Sequence, residues 1–191
     1  MLQMLISKII ERVQKKRPLY IAIDGRCAAG KTTLANNLQD ILECSVIHMD
    51  DFFLRPEQRT EERYAQSGNN VDYERIIEEV MIPLKEGKEI SYRPFICKEQ
   101  RLGEPITVSK SDIYIFEGAY SCQSNLYDFY DFRIFLDIDE EEQLKRIEKR
   151  NGKEQLEVFK QKWIPLEEKY FKEQNIRERV DKYIKIAEEV S

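Results

Sequence analysis

Residues 24–33 constrain this chain more than any other stretch, because they place two glycines, a lysine and two threonines in the order G-x-x-x-x-G-K-T-T. The preceding residues 19–23 form a continuous apolar run, which is typical of a strand buried on both faces. Downstream, Leu34, Leu38 and Leu42 recur at helical spacing. A glycine-containing turn between a buried strand and a helix N-terminus directs backbone N–H groups at an anion. The pattern therefore predicts a phosphate-binding loop.

We expect this loop to hold the phosphates of a nucleotide. Lys31, interpreted as an exposed cation, should reach the outer phosphates, and the Thr32 hydroxyl should bind Mg²⁺. Thr33 is left for contacts within the helix. The predicted nucleotide-binding residues are Gly25, Arg26, Cys27, Ala28, Ala29, Gly30, Lys31, Thr32 and Thr33.

Length and charge narrow the class of protein. A chain of 191 residues is near the usual size of one domain, so we expect residues 1–191 to form a single domain. Because the net charge is −5, broad attraction to nucleic acid or to an anionic membrane is not expected. The four cysteines lack C-x-x-C spacing, which indicates neither a zinc site nor a disulfide framework. Since no long apolar run or signal-peptide pattern occurs, a cytoplasmic protein is predicted.

An amphipathic helix is predicted within residues 1–17, before Pro18. Its apolar stripe consists of Leu2, Leu5, Ile6, Ile9, Ile10 and Val13. Packing beside a sheet is the favoured role for a stripe of this width, and a dimer contact or a membrane surface are the alternatives. Formation of a homo-oligomer therefore stays open at this point.

Carboxylates follow two further strand signals. A short β-branched run leads into Asp50 and Asp51, and a buried-strand signal leads into Glu117. Because ligands of parallel α/β sheets bind at the carboxyl ends of the strands, these acids are expected beside the phosphate-binding loop. Asp50 would take a proton from a hydroxyl or hold Mg²⁺ through water, and Glu117 would hold the metal hydration shell or a substrate hydroxyl. Caps or ordinary strand-end acids are the alternatives, and the lone His48 is interpreted as structural.

Residues 54–110 are expected to form an insertion that binds the acceptor. A polar loop opens it, and Asp72 then begins a helix, either as its N-cap or as a substrate contact. Residues 88–110 alternate short extended pieces with turns, which predicts a hairpin outside the main sheet. Such a hairpin would close over a substrate, with Tyr92 and Arg93 as contacts.

The last part of the chain predicts two more strands and a lid. Residues 132–138 form a buried strand signal, and residues 180–186 alternate as an edge strand does. The helix between them carries Arg146 and Arg150 four positions apart on one face. These arginines are either solvated surface residues or a cationic lid over the transferring phosphate, within a lid region at residues 145–160.

Together these features resemble the uridine kinase, phosphoribulokinase and nicotinamide riboside kinase family of P-loop small-molecule kinases. The resemblance covers most of residues 19–186 and is strongest in residues 25–39 and 46–53. It implies an α/β fold of the P-loop NTPase type, in three layers, with a parallel sheet flanked by helices, a small hairpin insertion and a short lid. It also implies ATP and Mg²⁺ as cofactors and a small-molecule acceptor as partner.

The resemblance also implies roles for individual residues. It makes Asp50 the general base and Asp72 the residue that holds the ribose hydroxyls. Glu117 matches the family's Glu-Gly after the third strand, and Arg146 and Arg150 match the lid pattern R-x-x-x-R.

The hairpin departs from uridine kinases, in which an aspartate and a base-reading histidine follow the hairpin tyrosine. Here Tyr92 leads into Arg93-Pro94-Phe95-Ile96-Cys97. From the resemblance as a whole we expect ATP-dependent phosphorylation of a hydroxyl, with a nucleoside or riboside as the favoured acceptor. The alternatives are a kinase for another hydroxylated metabolite, such as a sugar or vitamin precursor, and a regulatory ATP-binding protein without an acceptor.

Overall fold

The computed structural model describes residues 2–186, so Met1 and residues 187–191 of the predicted domain lie outside the described part of the chain. The strands within it are β1 (Leu19–Gly25), β2 (Ser45–His48), β3 (Ile90–Tyr92), β4 (Phe95–Ile96), β5 (Arg101–Leu102), β6 (Ile106–Val108), β7 (Ile113–Glu117), β8 (Phe132–Asp137) and β9 (Lys182–Lys185).

Ten helices lie between or before these strands in the described part of the chain. They are α1 (Leu2–Lys15), α2 (Lys31–Leu42), α3 (Glu61–Ala65), α4 (Tyr73–Arg75), α5 (Ile82–Lys85), α6 (Ser124–Tyr127), α7 (Glu140–Asn151), α8 (Lys153–Val158), α9 (Ile164–Glu173) and α10 (Ile176–Arg179). A π-helical stretch, Ile76–Met81, joins α4 to α5, and a second one, Phe159–Trp163, joins α8 to α9. Short 3₁₀ segments follow β2 at Met49–Phe52 and occur at Pro56–Gln58.

Five strands form one parallel sheet in the order β2-β7-β1-β8-β9. All seven residues of β1 are buried, because this strand lies at the centre of the sheet between β7 and β8. The strand signals at residues 19–23, 113–116 and 132–138 therefore predicted strands correctly. The predicted α/β class and the predicted edge strand, β9, are confirmed.

The alternation of side chains along β1 divides the core into two layers. Tyr20 and Ala22 face one cluster, which includes aromatic residues of α9, whereas Leu19, Ile21 and Ile23 face the other, which includes apolar residues of α1 and α2. Helices thus cover both faces of the parallel sheet, as parallel strands require.

Helix α1 belongs to the second of these layers. Leu5 and Ile9 are buried there, while Met4 and Ile10 on the same helix are exposed. The structure therefore confirms that the amphipathic stripe packs beside the sheet, with the exception of Ile10, which was expected in the stripe and lies at the surface. None of the helices in residues 2–186 is long and apolar enough to cross a membrane.

The insertion between β2 and β7 contains the predicted hairpin. Strand β3 pairs with β6 and β4 pairs with β5, both antiparallel and both outside the parallel sheet. Buried residues of β3 and of the α4–α5 segment belong to the same core cluster as Phe52, just after β2. This packing places the hairpin next to the carboxyl end of β2.

Candidate active site

The glycine-containing loop begins where β1 ends. Gly25 has φ +139°, and a Cβ on it would lie 2.0 Å from the carbonyl oxygen of Leu136 in the neighbouring β8. Only glycine allows the backbone to turn at such a close approach. Gly30, at φ +90°, then precedes the first residue of α2, so that the loop runs directly into the N-terminus of a helix. The strand, loop and helix predicted for residues 19–42 are all present.

Lys31 is folded into this loop. Its Nζ donates hydrogen bonds to the carbonyl oxygens of Gly25 and Arg26, each at 2.8 Å. The residue is 8% exposed, so the expectation of an exposed cation is wrong. Burial is possible for the ammonium group because the two carbonyl oxygens replace water as acceptors.

Thr32 lies beside Glu117, at the carboxyl end of β7. The Thr32 hydroxyl lies 3.2 Å from each Glu117 carboxylate oxygen. His48 Nδ1 lies 2.6 Å from Glu117 Oε1, and this contact raises the pKa of His48 above its ordinary value. The lone histidine interpreted as structural is thus a direct neighbour of a predicted metal-binding residue. Parallel pairing of β2 with β7, in which His48 is opposite Glu117, brings the two side chains together.

The oxygens of Thr32, Glu117 and Asp50 are suited to a magnesium ion that is also bound by water and phosphates, and not to a metal ion that only protein side chains hold. In residues 2–186 no group of three or more His, Cys, Asp or Glu residues is arranged to hold a metal ion. Magnesium in nucleotide sites is usually held by one or two carboxylates, by water and by the phosphates. The hydroxyl of Thr32 and the carboxylates of Glu117 and Asp50 fit this description.

Asp50 and Asp51 point to different neighbours. Asp50 is exposed. The protein around this side chain still displaces part of its water, and this partial desolvation, together with the charge of Glu117, raises the pKa of Asp50, whereas Lys31 and Arg150 act in the opposite direction. Asp51 instead accepts a hydrogen bond from the Tyr92 hydroxyl at 2.8 Å. The first carboxylate is therefore within electrostatic reach of Lys31 in the phosphate-binding loop, and the second holds the hairpin through Tyr92.

The hairpin lies near Asp50. Tyr92 is buried, whereas Arg93 is exposed and donates from Nε to the carbonyl oxygen of Gly103. Desolvation raises the pKa of the Cys97 thiol near the tip, Arg59 opposes this, and the charge of Asp50 adds to it. A hairpin residue thus lies within electrostatic reach of Asp50, consistent with an insertion placed next to the site.

Asp72 is fully buried and caps the helix that follows it. Its Oδ1 accepts the backbone N–H of Arg75 at 3.4 Å, as expected for the N-cap alternative. Its Oδ2 lies 3.4 Å from Nε of Arg55 and makes no hydrogen bond within the described residues. Contact between Asp72 and an acceptor stays a prediction.

The two predicted lid arginines occupy different environments. Arg150 is exposed and its Nη2 lies 3.3 Å from the sulfur of Cys27, over the phosphate-binding loop. Arg146 is half-buried and forms an ion pair with Glu142 at 2.7 Å, one turn earlier in α7. The structure therefore brings Arg150 to the loop and ties Arg146 to its own helix.

Two functional candidates were missed by the sequence analysis. Glu167, on α9, accepts the backbone N–H of Cys27 at 2.8 Å, and Gln143, on α7, contacts both Glu167 and Arg26. Both side chains are buried. A polar residue at a core-facing helix position was the one available signal, and the sequence alone does not say which group it contacts.

A phosphate-binding loop between a central parallel strand and a helix, with carboxylates at the adjacent strand ends, defines a P-loop NTPase fold. The fold is similar to that of a structure described as a possible uridine kinase from Bacillus stearothermophilus, with a TM-score of 0.72 and 21% identity over 96% of each chain. Residues 20–161 match the phosphoribulokinase / uridine kinase family, and the chain belongs to this family.

Two curated relatives show how similar this chain is to other proteins in sequence, and over what length. Uridine-cytidine kinase B of Dictyostelium discoideum is 30% identical over 141 residues, which are 69% of this chain and 57% of that protein. The uridine kinase of Clostridium novyi (strain NT) is 30% identical over 148 residues, which are 72% of this chain and 70% of that protein. The match thus spans less than two thirds of the Dictyostelium protein.

Proposed function

We propose that this protein is an ATP-dependent kinase that phosphorylates a hydroxyl group of a small molecule, with a nucleoside or riboside as the favoured acceptor. The observation that carries the proposal is the position of Asp50. Its exposed carboxylate lies within electrostatic reach of Lys31, Glu117 and Arg150, at the edge of the sheet where the phosphate-binding loop begins. A carboxylate beside the phosphates is what a kinase needs to orient an attacking hydroxyl.

The phosphates would be bound by the loop amides and by the N-terminus of α2. Lys31 would exchange its bonds to the carbonyl oxygens of Gly25 and Arg26 for bonds to phosphate oxygens. Thr32 and Glu117, with Asp50, would hold Mg²⁺, which supplies charge neutralisation at the outer phosphates. Arg150 would add a positive charge where negative charge develops during transfer.

The acceptor would lie between Asp50 and the hairpin. Asp50 would accept the proton of the attacking hydroxyl, and Asp51 would hold the hairpin through the hydroxyl of Tyr92. Arg93 and Asp72 are the further candidate contacts in the insertion.

A screen for acceptor-stimulated ADP release tests the proposal. Purified protein with Mg²⁺ and ATP is incubated with nucleosides, sugars and vitamin precursors, and ADP is followed by a coupled assay. One class of acceptor is expected to stimulate ADP release in the wild type and not in Asp50→Asn. Nucleotide binding without stimulation by any acceptor would favour a regulatory ATP-binding protein instead.

The second candidate is a kinase for a hydroxylated metabolite that is not a nucleoside. The sequence Arg93-Pro94-Phe95-Ile96-Cys97, in place of an aspartate and a base-reading histidine, favours it. Sugars and vitamin precursors in the screen separate it from the first candidate.

A cytoplasmic location, where ATP is available, is proposed for either kinase. No contact with nucleic acid or membrane is proposed, and assembly into a homo-oligomer stays a prediction.

A further inference from the structure

A buried carboxyl group on helix α9, which is not part of the phosphate-binding loop, contacts the backbone of this loop. Glu167, on α9, is 4% exposed. Its Oε1 accepts the backbone N–H of Cys27 at 2.8 Å, and its Oε2 accepts from Gln143 Nε2 at 3.2 Å. A loop amide that would otherwise be available to an anion is thus bonded to a side chain of the protein.

The same contact continues into a network around Arg26. The Arg26 guanidinium donates from Nη1 to Gln143 Oε1 at 3.0 Å, and it forms ion pairs with Asp137 at 2.8 Å and Glu168 at 2.7 Å. These partners come from α7, from the end of β8 and from α9. Arg26 and Cys27 are therefore held in place by the end of β8 and by helices on both sides of the lid region in the chain, α7 and α9.

Several charged groups face Glu167 from the surrounding elements. Lys31 of α2 and Asp24 of β1 lie close enough to act on the charge of Glu167, and Cys27 belongs to the loop itself. Tyr120, after β7, is close enough for Glu167 to raise its pKa, and Gln143 of α7 is uncharged. Burial raises the pKa of Glu167 to about 7, and Lys31 is the strongest of the groups that oppose this.

The positive charge of Lys31 therefore stabilises the ionised form of Glu167 and would also stabilise any phosphate bound in the loop. When phosphate oxygens take the positive charge of Lys31 and add negative charge nearby, the ionised form of Glu167 becomes less favourable. The neutral carboxyl group retains an oxygen that accepts the N–H of Cys27, so a proton from the solvent restores the charge balance without loss of this bond.

We propose that Glu167 is a positioning residue that holds the phosphate-binding loop at Cys27 and takes up a proton when the loop binds nucleotide phosphates. The inference rests on the proposed function only in that a nucleotide must bind. It assigns to α9 a role in the nucleotide site.

Proton uptake is measured by titration calorimetry of Mg·ADP binding at pH 7 in two buffers with different ionisation enthalpies. The nucleotide's own phosphates ionise equally with every variant, so the difference between proteins is the readout. Glu167→Gln is expected to take up about half a proton less than the wild type, because a group with a pKa near the pH is half ionised before binding. Glu173→Gln, an exposed residue at the end of the same helix, makes the same charge change and should match the wild type.

Equal proton uptake by the wild type and Glu167→Gln would overturn the proposal. If Mg·ADP produced no binding heat with the wild type, the nucleotide site itself, and with it the proposed function, would be wrong. Should Glu167→Gln fail to fold, infrared difference spectra of the wild type decide the question. The carbonyl band of a protonated carboxyl group must grow on Mg·ADP addition, and its absence refutes proton uptake.

The positioning part has its own test. Glu167→Ala removes the acceptor for the Cys27 N–H and should weaken Mg·ADP binding by about tenfold, whereas Glu167→Gln retains an acceptor oxygen and should restore most of the affinity. Equal affinities of the two variants would contradict a positioning role.

Discussion

Asp50 and Asp51 are adjacent in the chain but have different partners, which makes them a natural pair of matched variants. Asp50→Asn keeps the shape of the side chain and removes the proton acceptor. Single-turnover phosphoryl transfer should fall by about a hundredfold to ten-thousandfold, while nucleotide affinity stays close to that of the wild type. Asp50 must be ionised to accept a proton, so wild-type activity should be lost as the pH is lowered. Because the pKa of Asp50 is raised, this loss should begin at a higher pH than it would for an ordinary aspartate.

Asp51→Asn is the control for this change. Its remaining carbonyl oxygen still accepts the Tyr92 hydroxyl, so the loss of rate should be much smaller. A larger loss in Asp51→Asn than in Asp50→Asn, with the fold preserved, would mean that the base is Asp51.

Glu167 gives a second prediction at the scale of one residue, through the stability of the free protein. Its pKa rises from 4.5 to about 7 on folding, so the stability that this group contributes is complete below pH 4.5 and is lost as the pH rises through 7. Between pH 5 and pH 8 the wild type should lose about 2 to 3 kcal/mol from this group, and Glu167→Gln should not. Urea unfolding at several pH values measures the difference, with Glu173→Gln as control.

A constant cost of the substitution does not affect this comparison, because only the change with pH is used. If the unfolding free energies of the wild type and Glu167→Gln stayed parallel from pH 5 to pH 8, Glu167 would not titrate as its burial indicates.

At the scale of elements, helix α7 carries two arginines that sequence spacing alone treats as equivalent. Arg150 reaches Cys27 in the loop, whereas Arg146 pairs with Glu142. Arg150→Ala should therefore reduce turnover by about a hundredfold, with a smaller effect on ATP affinity, because its charge acts mainly on the transition state. Arg146→Ala should change turnover by less than about threefold, since a single ion pair within a helix is weak.

Steady-state kinetics of the two variants with the acceptor from the screen would decide between these expectations. Equal losses would show that both arginines contact the phosphates when the lid closes. An effect on KM alone would make Arg150 a contact to the bound nucleotide in its ground state.

The elements that the sequence predicted are those with local patterns. Strands β1 and β7 are buried along their whole length and β8 along most of it, so each appears as a mainly apolar run, and Gly25 and Gly30 mark the turn between β1 and α2. The contact of Glu167 with Cys27 joins residues 140 positions apart and leaves no such pattern. The burial of Lys31 leaves no pattern for a different reason, because its acceptors are backbone oxygens of the neighbouring loop, and any residue type supplies such oxygens.

For the molecule as a whole, strand order explains why the candidate site forms. In the order β2-β7-β1-β8-β9, the strands next to the phosphate-binding loop are β7 and β8, and β2 is one strand further. All run parallel, so Glu117, Asp137 and the segment with Asp50 meet at the edge where the loop begins. The sequence predicted this edge from the strand ends, whereas the strand order itself became known only from the structure.

The last prediction concerns the stability of the whole chain with its ligand. At a Mg·ADP concentration of one hundred times the Kd, binding should stabilise the folded state by about 2.7 kcal/mol. For a chain of this length that corresponds to a rise in Tm of about 5 to 10 °C in thermal unfolding. A chelator should remove part of the rise, because Thr32 and Glu117 would lose the ion that links them to the phosphates.

Lys31→Ala is the control, compared with its own ligand-free form. The buried acids Asp24 and Glu167 lose a compensating charge in this variant, so its ligand-free Tm should already be lower than that of the wild type. Added Mg·ADP should then raise its Tm by less than about 1 °C, because the loop has lost its cation. A full shift in Lys31→Ala would place the bound nucleotide outside the loop between β1 and α2, and the roles proposed for Asp50, Arg150 and Glu167 would fail with it.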